Sequence, residues 1–76
     1  MTEQAEQDWN KVASCTLKAE LARASIGYEE LTERLAAIGI EETYKAVAAK
    51  INRGSFSFAF FAQCMKALGI RDVRLN

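Results

Sequence analysis

Apolar residues recur at three- and four-residue steps along four segments of this chain. The first segment runs from Asp8 to about Ala24, with Trp9, Val12, Ala13, Leu17, Leu21 and Ala24 on one stripe. Asp8 has the side chain of an N-cap, and the helix is expected to stop near "RASIGYEE", where Gly27 suits a C-terminal turn. A second helix begins near Tyr28. Glu29 and Glu30 suit the positive end of its dipole, Leu31, Leu35 and Ile38 form its stripe, and Gly39 closes it. "IEET" bridges to a third helix, with Ile40 tucked under the turn. Glu42 or Thr43 caps that helix, Val47 and Ile51 face inward with Tyr44 and Ala48 beside them, and Gly54 ends it.

"RGSFSFAFFAQCMKALGI", residues 53–70, carries two patterns at once. Its Ser-Phe alternation has the period of a half-buried strand, and its second half has the period of a helix. A strand needs a partner, and no other segment reads as one. The stretch is therefore predicted as a fourth helix entered through Ser55 or Ser57 as N-cap. Phe56 and Phe61 are spaced as a hydrophobic staple, Phe60, Phe61, Cys64 and Leu68 form the stripe, and Gly69 closes it. The expected fold is all-α. Residues 1–7 are a disordered polar start, 8–70 a four-helix domain, and 71–76 a tail. Val73 and Leu75 in that tail either fold back on the core or meet a partner.

Length changes the picture little: 76 residues make one small domain with a modest core. Composition narrows the chemistry. The chain has no histidine, which removes the commonest general base and metal ligand, and no proline. Cys15 and Cys64 have no second cysteine near either and are expected as reduced core thiols. With no glycine-rich phosphate loop and no carboxylate in an apolar setting, the expected function is not enzymatic. No metal, cofactor or small-molecule substrate is implied. No apolar run approaches the roughly 20 residues of a membrane span, and "MTEQAEQDWN" lacks the features of a signal peptide, so the cytoplasm is the expected location.

Charge adds a pointer. Residues 1–42 carry nine acids and four bases, a net −5, and residues 43–76 carry six bases and one acid, a net +5. Such a split points to a polyanion or an oppositely charged partner.

Three blocks, "YEELTERLAAIGI", "KAVAAKINRG" and a last helix ending "ALGI", together resemble the Cro and lambda-repressor type of helix-turn-helix domain. Gly39 and Gly54 stand fifteen positions apart, a wider separation than the repressor pattern has. The "LKAEL", "RG.F" and "F..QC..A.G" blocks are also similar to a short bacterial family known only as a domain of unknown function. The first resemblance implies a repressor-like helix-turn-helix fold that inserts helix three, about residues 43–53, into the major groove of double-stranded DNA. A transcription regulator or chromosome-associated factor at the nucleoid would follow.

On that reading Thr43, Lys45, Ala46, Ala49, Lys50 and Arg53 form the outward face. The alanines admit close approach to base edges, and the cations reach guanine or phosphate. Asn52 is placed for the DNA backbone, Ser55 and Ser57 for a phosphate seat, and Arg34 with the Tyr28 hydroxyl as weaker phosphate contacts. Helix four carries more apolar surface than one stripe needs. Phe58, Ala62 and Met65 on its flank, with Val73 and Leu75, are expected to form the interface of a homodimer or higher oligomer. The competing reading is a protein-binding adaptor or oligomerisation module on the same fold without DNA binding.

Overall fold

The computed structural model describes residues 8–75 and contains four helices: α1 Trp9–Ala24, α2 Tyr28–Ala37, α3 Tyr44–Arg53 and α4 Phe58–Leu68. The expected polar start at residues 1–7 lies outside the described residues, as does Asn76. Helix α1 packs on α3, α3 on α2, and α2 on α4. Leu17, Leu21, Leu31, Leu35, Val47, Ile51, Phe60, Cys64, Met65 and Leu68 close the core between them. The all-α, four-helix class expected from periodicity is the class observed, with no strand among the described residues.

Three of the four helix starts have a side-chain cap. The Asp8 carboxylate accepts from the Lys11 amide, the Thr43 hydroxyl from Ala46 and the Ser57 hydroxyl from Phe60. At α4, Phe56 precedes the cap and stacks on Phe61, with ring centroids 6.3 Å apart and planes at 7°. That contact is the hydrophobic staple that turns the Ser-Phe alternation into the start of a helix rather than a strand.

Three helices end in the same way. Ile26, Ile40 and Ile70 each donate from their amide to a carbonyl five residues back, on Leu21, Leu35 and Met65, and each lies against the core. The residue before each isoleucine takes the left-handed conformation: Ser25 at φ 58°, Gly39 at φ 90° and Gly69 at φ 72°. This is the Schellman closure, in which the apolar residue after the turn seals the helix end. The expected end near Ala24 is observed, and only Gly27 as the residue of the closing turn is corrected. Ser25 ends α1, and Gly27, with extended backbone, is the N-cap of α2. Ile38 is also corrected, because it falls at the α2 cap and is 42% exposed rather than part of the stripe.

Gly54 is required twice over. Its φ is +75°, and a Cβ there would overlap the Asn10 carbonyl of α1. The first turn of α1 thus rests against the end of α3, and only a residue without a side chain allows it. Because the contact is made there, Trp9 is carried past the core and is 71% exposed. Ala24 is exposed at the other end, and the buried line of α1 runs through Ser14, Leu17, Glu20 and Leu21. Two further expectations are corrected by this geometry. Cys15 lies on the exposed side of α1, while only Cys64 is in the core. Met65, expected at an oligomer interface, is 7% exposed, because α4 is covered by α2 on one side and by the Ile70 turn on the other.

Glu20 is the one buried charged side chain among the described residues. Arg23 Nη2 lies 2.5 Å from its Oε2, and that hydrogen bond holds the carboxyl below its ordinary value of 4.5. Burial opposes the shift, while the Arg23 charge and the backbone N–H and charge of Arg74 from the tail reinforce it. A lowered folded-state pKa means that the pair stabilises the fold above 4.5 and loses that contribution as pH falls through the lowered value.

Two predictions test this framework. Gly54→Ala should lower stability by about 2–4 kcal/mol in urea denaturation, while Ser25→Gly should raise it by about 0.5 kcal/mol through relief of left-handed strain. Urea midpoints of the wild type and Glu20→Gln, followed from pH 7 downward, should converge below about pH 4.5 as the Glu20–Arg23 contribution disappears.

Candidate nucleic-acid interface

Helix α3 is held by Val47 and Ile51, both fully buried. The helical period then fixes which side chains face away from the core. Lys45, Ala49, Asn52 and Arg53 are exposed there, and Thr43, whose hydroxyl serves as the cap, is exposed at the start. Lys45 and Arg53 make no ion pair among the described residues. Ala49 leaves the middle of the face low. This ridge brings together four of the residues expected from the sequence.

Other expected contacts are placed differently. Lys50 is half-buried and turns toward α4. Its Nζ lies 2.6 Å from Glu42 Oε2 and 4.9 Å from the centroid of the Phe60 ring. An ion pair and a cation–π contact on one ammonium make it a link between the α2–α3 connection and α4 rather than an exposed cation. Arg34 reaches back one turn to Glu30, with Nε and Nη2 at 3.2 and 3.0 Å from the same carboxylate oxygen. Ala46 is half-buried on the Lys50 side. Ser57 is occupied as the α4 cap, whereas Ser55 is exposed.

Tyr44, expected inward, is 48% exposed at the edge of the α3 ridge. Its ring lies 6.4 Å from that of Tyr28, whose hydroxyl donates to Asn52 Oδ1 over 3.4 Å. The two tyrosines thus flank Asn52 and bring an aromatic edge to the face. Sequence reasoning missed Tyr44 because a residue at the first position of a helix has only one turn to hold it against the core. Its nearness to the Thr43 cap was the available signal.

A second surface lies beside α4. Trp9, Val12 and Ala13 of α1, Phe56, Phe58 and Phe61, and Val73 and Leu75 of the tail line an open apolar groove of about 610 Å³. Phe58 is 81% exposed and Leu75 77% exposed. On the far side of Phe58 and Phe61, Ala62, Met65, Lys66, Ile70 and Arg71 line a second groove of about 340 Å³. Of the residues expected at an interface, Phe58, Ala62, Val73 and Leu75 are exposed here, and Met65 contributes only from the floor. Trp9 and Phe61 complete the surface, a grouping that local periodicity cannot reveal because they belong to different helices.

Residues 9–73 match the family described as Domain of unknown function (DUF6471), and the chain belongs to that family. No curated protein and no solved structure matches the chain significantly.

The two thiols differ chemically. Burial pushes the Cys64 thiol up to about 12, with the nearby Lys50 charge opposing, whereas Cys15 is exposed. A maleimide or disulfide reagent at pH 8 should therefore modify one thiol per chain in the folded protein, at Cys15, and the second only in denaturant. Peptide mapping after a timed reaction checks this.

Proposed function

We propose that the chain is a DNA-binding module of the helix-turn-helix kind, repressor-like in the order of its helices. It acts by placing α3 in the major groove, as a transcription regulator or chromosome-associated factor at the nucleoid. The observation that carries this reading is the exposed ridge of α3, where Lys45, Ala49, Asn52 and Arg53 share one face with no large side chain at its centre. Small residues let a helix approach base edges, an amide can read adenine, and the two cations can meet phosphate or guanine. Helix α2 packs against α3 and would lie across the backbone side of the groove. Tyr28 holds Asn52, which limits the rotamers available to the amide. The role is binding rather than catalysis.

The ion pairs Lys50–Glu42 and Arg34–Glu30 favour a second reading, a protein-binding adaptor, because they leave fewer cations for phosphate. Salt dependence separates the two. Fluorescence anisotropy of a labelled duplex should report binding at about 50 mM salt that weakens steeply by about 200 mM. Lys45→Glu and Arg53→Glu should each weaken binding at least tenfold without changing the helical circular dichroism. Lys50→Glu should lower stability as well, because it sets a carboxylate against Glu42. An absence of binding at both salt concentrations would leave the adaptor reading in place.

A further inference from the structure

We infer that the apolar surface formed by Trp9, Phe58, Val73 and Leu75 docks a second copy of this chain, giving a two-fold dimer. The inference is independent of the DNA-binding reading, since it concerns another surface and its test contains no DNA.

Shape gives the first reason. An isologous interface requires one patch to carry both a projection and a recess, so that each copy fills the other. Phe58 is that projection: it is 81% exposed at the first position of α4. It stands between the groove of about 610 Å³ on its α1 side and the groove of about 340 Å³ on its α4 side. A two-fold axis passing beside Phe58 sets the ring of each copy into a groove of the other.

Area gives the second. Trp9, Phe58 and Leu75 are 71%, 81% and 77% exposed. With aromatic side chains offering about 150–250 Å² each, these three leave roughly 400 Å² of apolar surface in water. A standard interface covers about 800 Å² per partner, about two thirds of it apolar in homodimers. The patch, extended by Val73 and the edges of Phe56 and Phe61, is of that order. A patch of this order matches the largest that a typical monomer exposes, about 300–600 Å², and such patches are often functional.

The chain has one tryptophan, and it lies in this patch. Sedimentation equilibrium and Trp9 emission, each followed from about 1 to 100 μM, therefore read association and burial of the same surface. A dimer mass at the upper concentrations is expected, with emission shifting to longer wavelength on dilution. Phe58→Glu and Leu75→Glu, both at exposed positions, should each remain monomeric at 100 μM with unchanged helical circular dichroism. A wild type that stays monomeric throughout overturns the inference. A dimer that persists in both variants with its Trp9 emission unchanged also overturns it, and places the contact elsewhere.

Discussion

The close approach of Asn10 to Gly54 governs much of this small protein. A backbone carbonyl of α1 occupies the space where a side chain of residue 54 would stand. The contact fixes where α1 crosses the end of α3, and it requires a left-handed turn at the same residue. From that turn the chain passes directly to Phe56 and Ser57, whose staple and cap set the direction of α4. The neighbours of the contact in sequence, Trp9 on one side and the aromatic cluster on the other, are thereby brought to one surface. A single crossing point thus determines both the packing of α1 and the exposed apolar face.

Electrostatics within the fold uses much of the charge that a linear reading assigns to a partner. Glu20 is neutralised by Arg23 and the tail, Glu30 by Arg34, and Glu42 by Lys50. The acidic first part of the chain and its basic second part meet at the Lys50–Glu42 pair, and the tail brings Arg74 to Glu20. The contact of Arg74 with Glu20 joins elements remote in the chain, whereas Lys50 and Glu42 are eight residues apart. The exposed pair Arg34–Glu30 contributes little stability by itself. With Lys50 paired to Glu42, Lys45 and Arg53 are the cations of the α3 ridge that make no ion pair among the described residues.

Much of the architecture was legible because helices are local structures. Caps at Asp8, Thr43 and Ser57, glycines at 39, 54 and 69, and the Phe56–Phe61 spacing all act within one or two turns. Even the misassigned closing residue of α1 carried a local signal. Ser25-Ile26 repeats the left-handed residue plus isoleucine seen at Gly39-Ile40 and Gly69-Ile70, with serine in place of glycine. The candidate site was legible in part for the same reason. Val47 and Ile51 set the inward side of α3, and Lys45, Ala49, Asn52 and Arg53 follow by rotation about the helix.

The sequence by itself determined four helices, their closures and the inward side of α3, because hydrogen bonds and side-chain periods within a few residues decide these. Only the tertiary structure decided that Lys50 turns to Glu42 and Phe60, that Met65 lies inside and Cys15 outside, and that Trp9 joins Phe58. Each of those outcomes depends on which side of a helix meets a neighbour. That choice is made by the packing of whole helices against one another, and no local period encodes it.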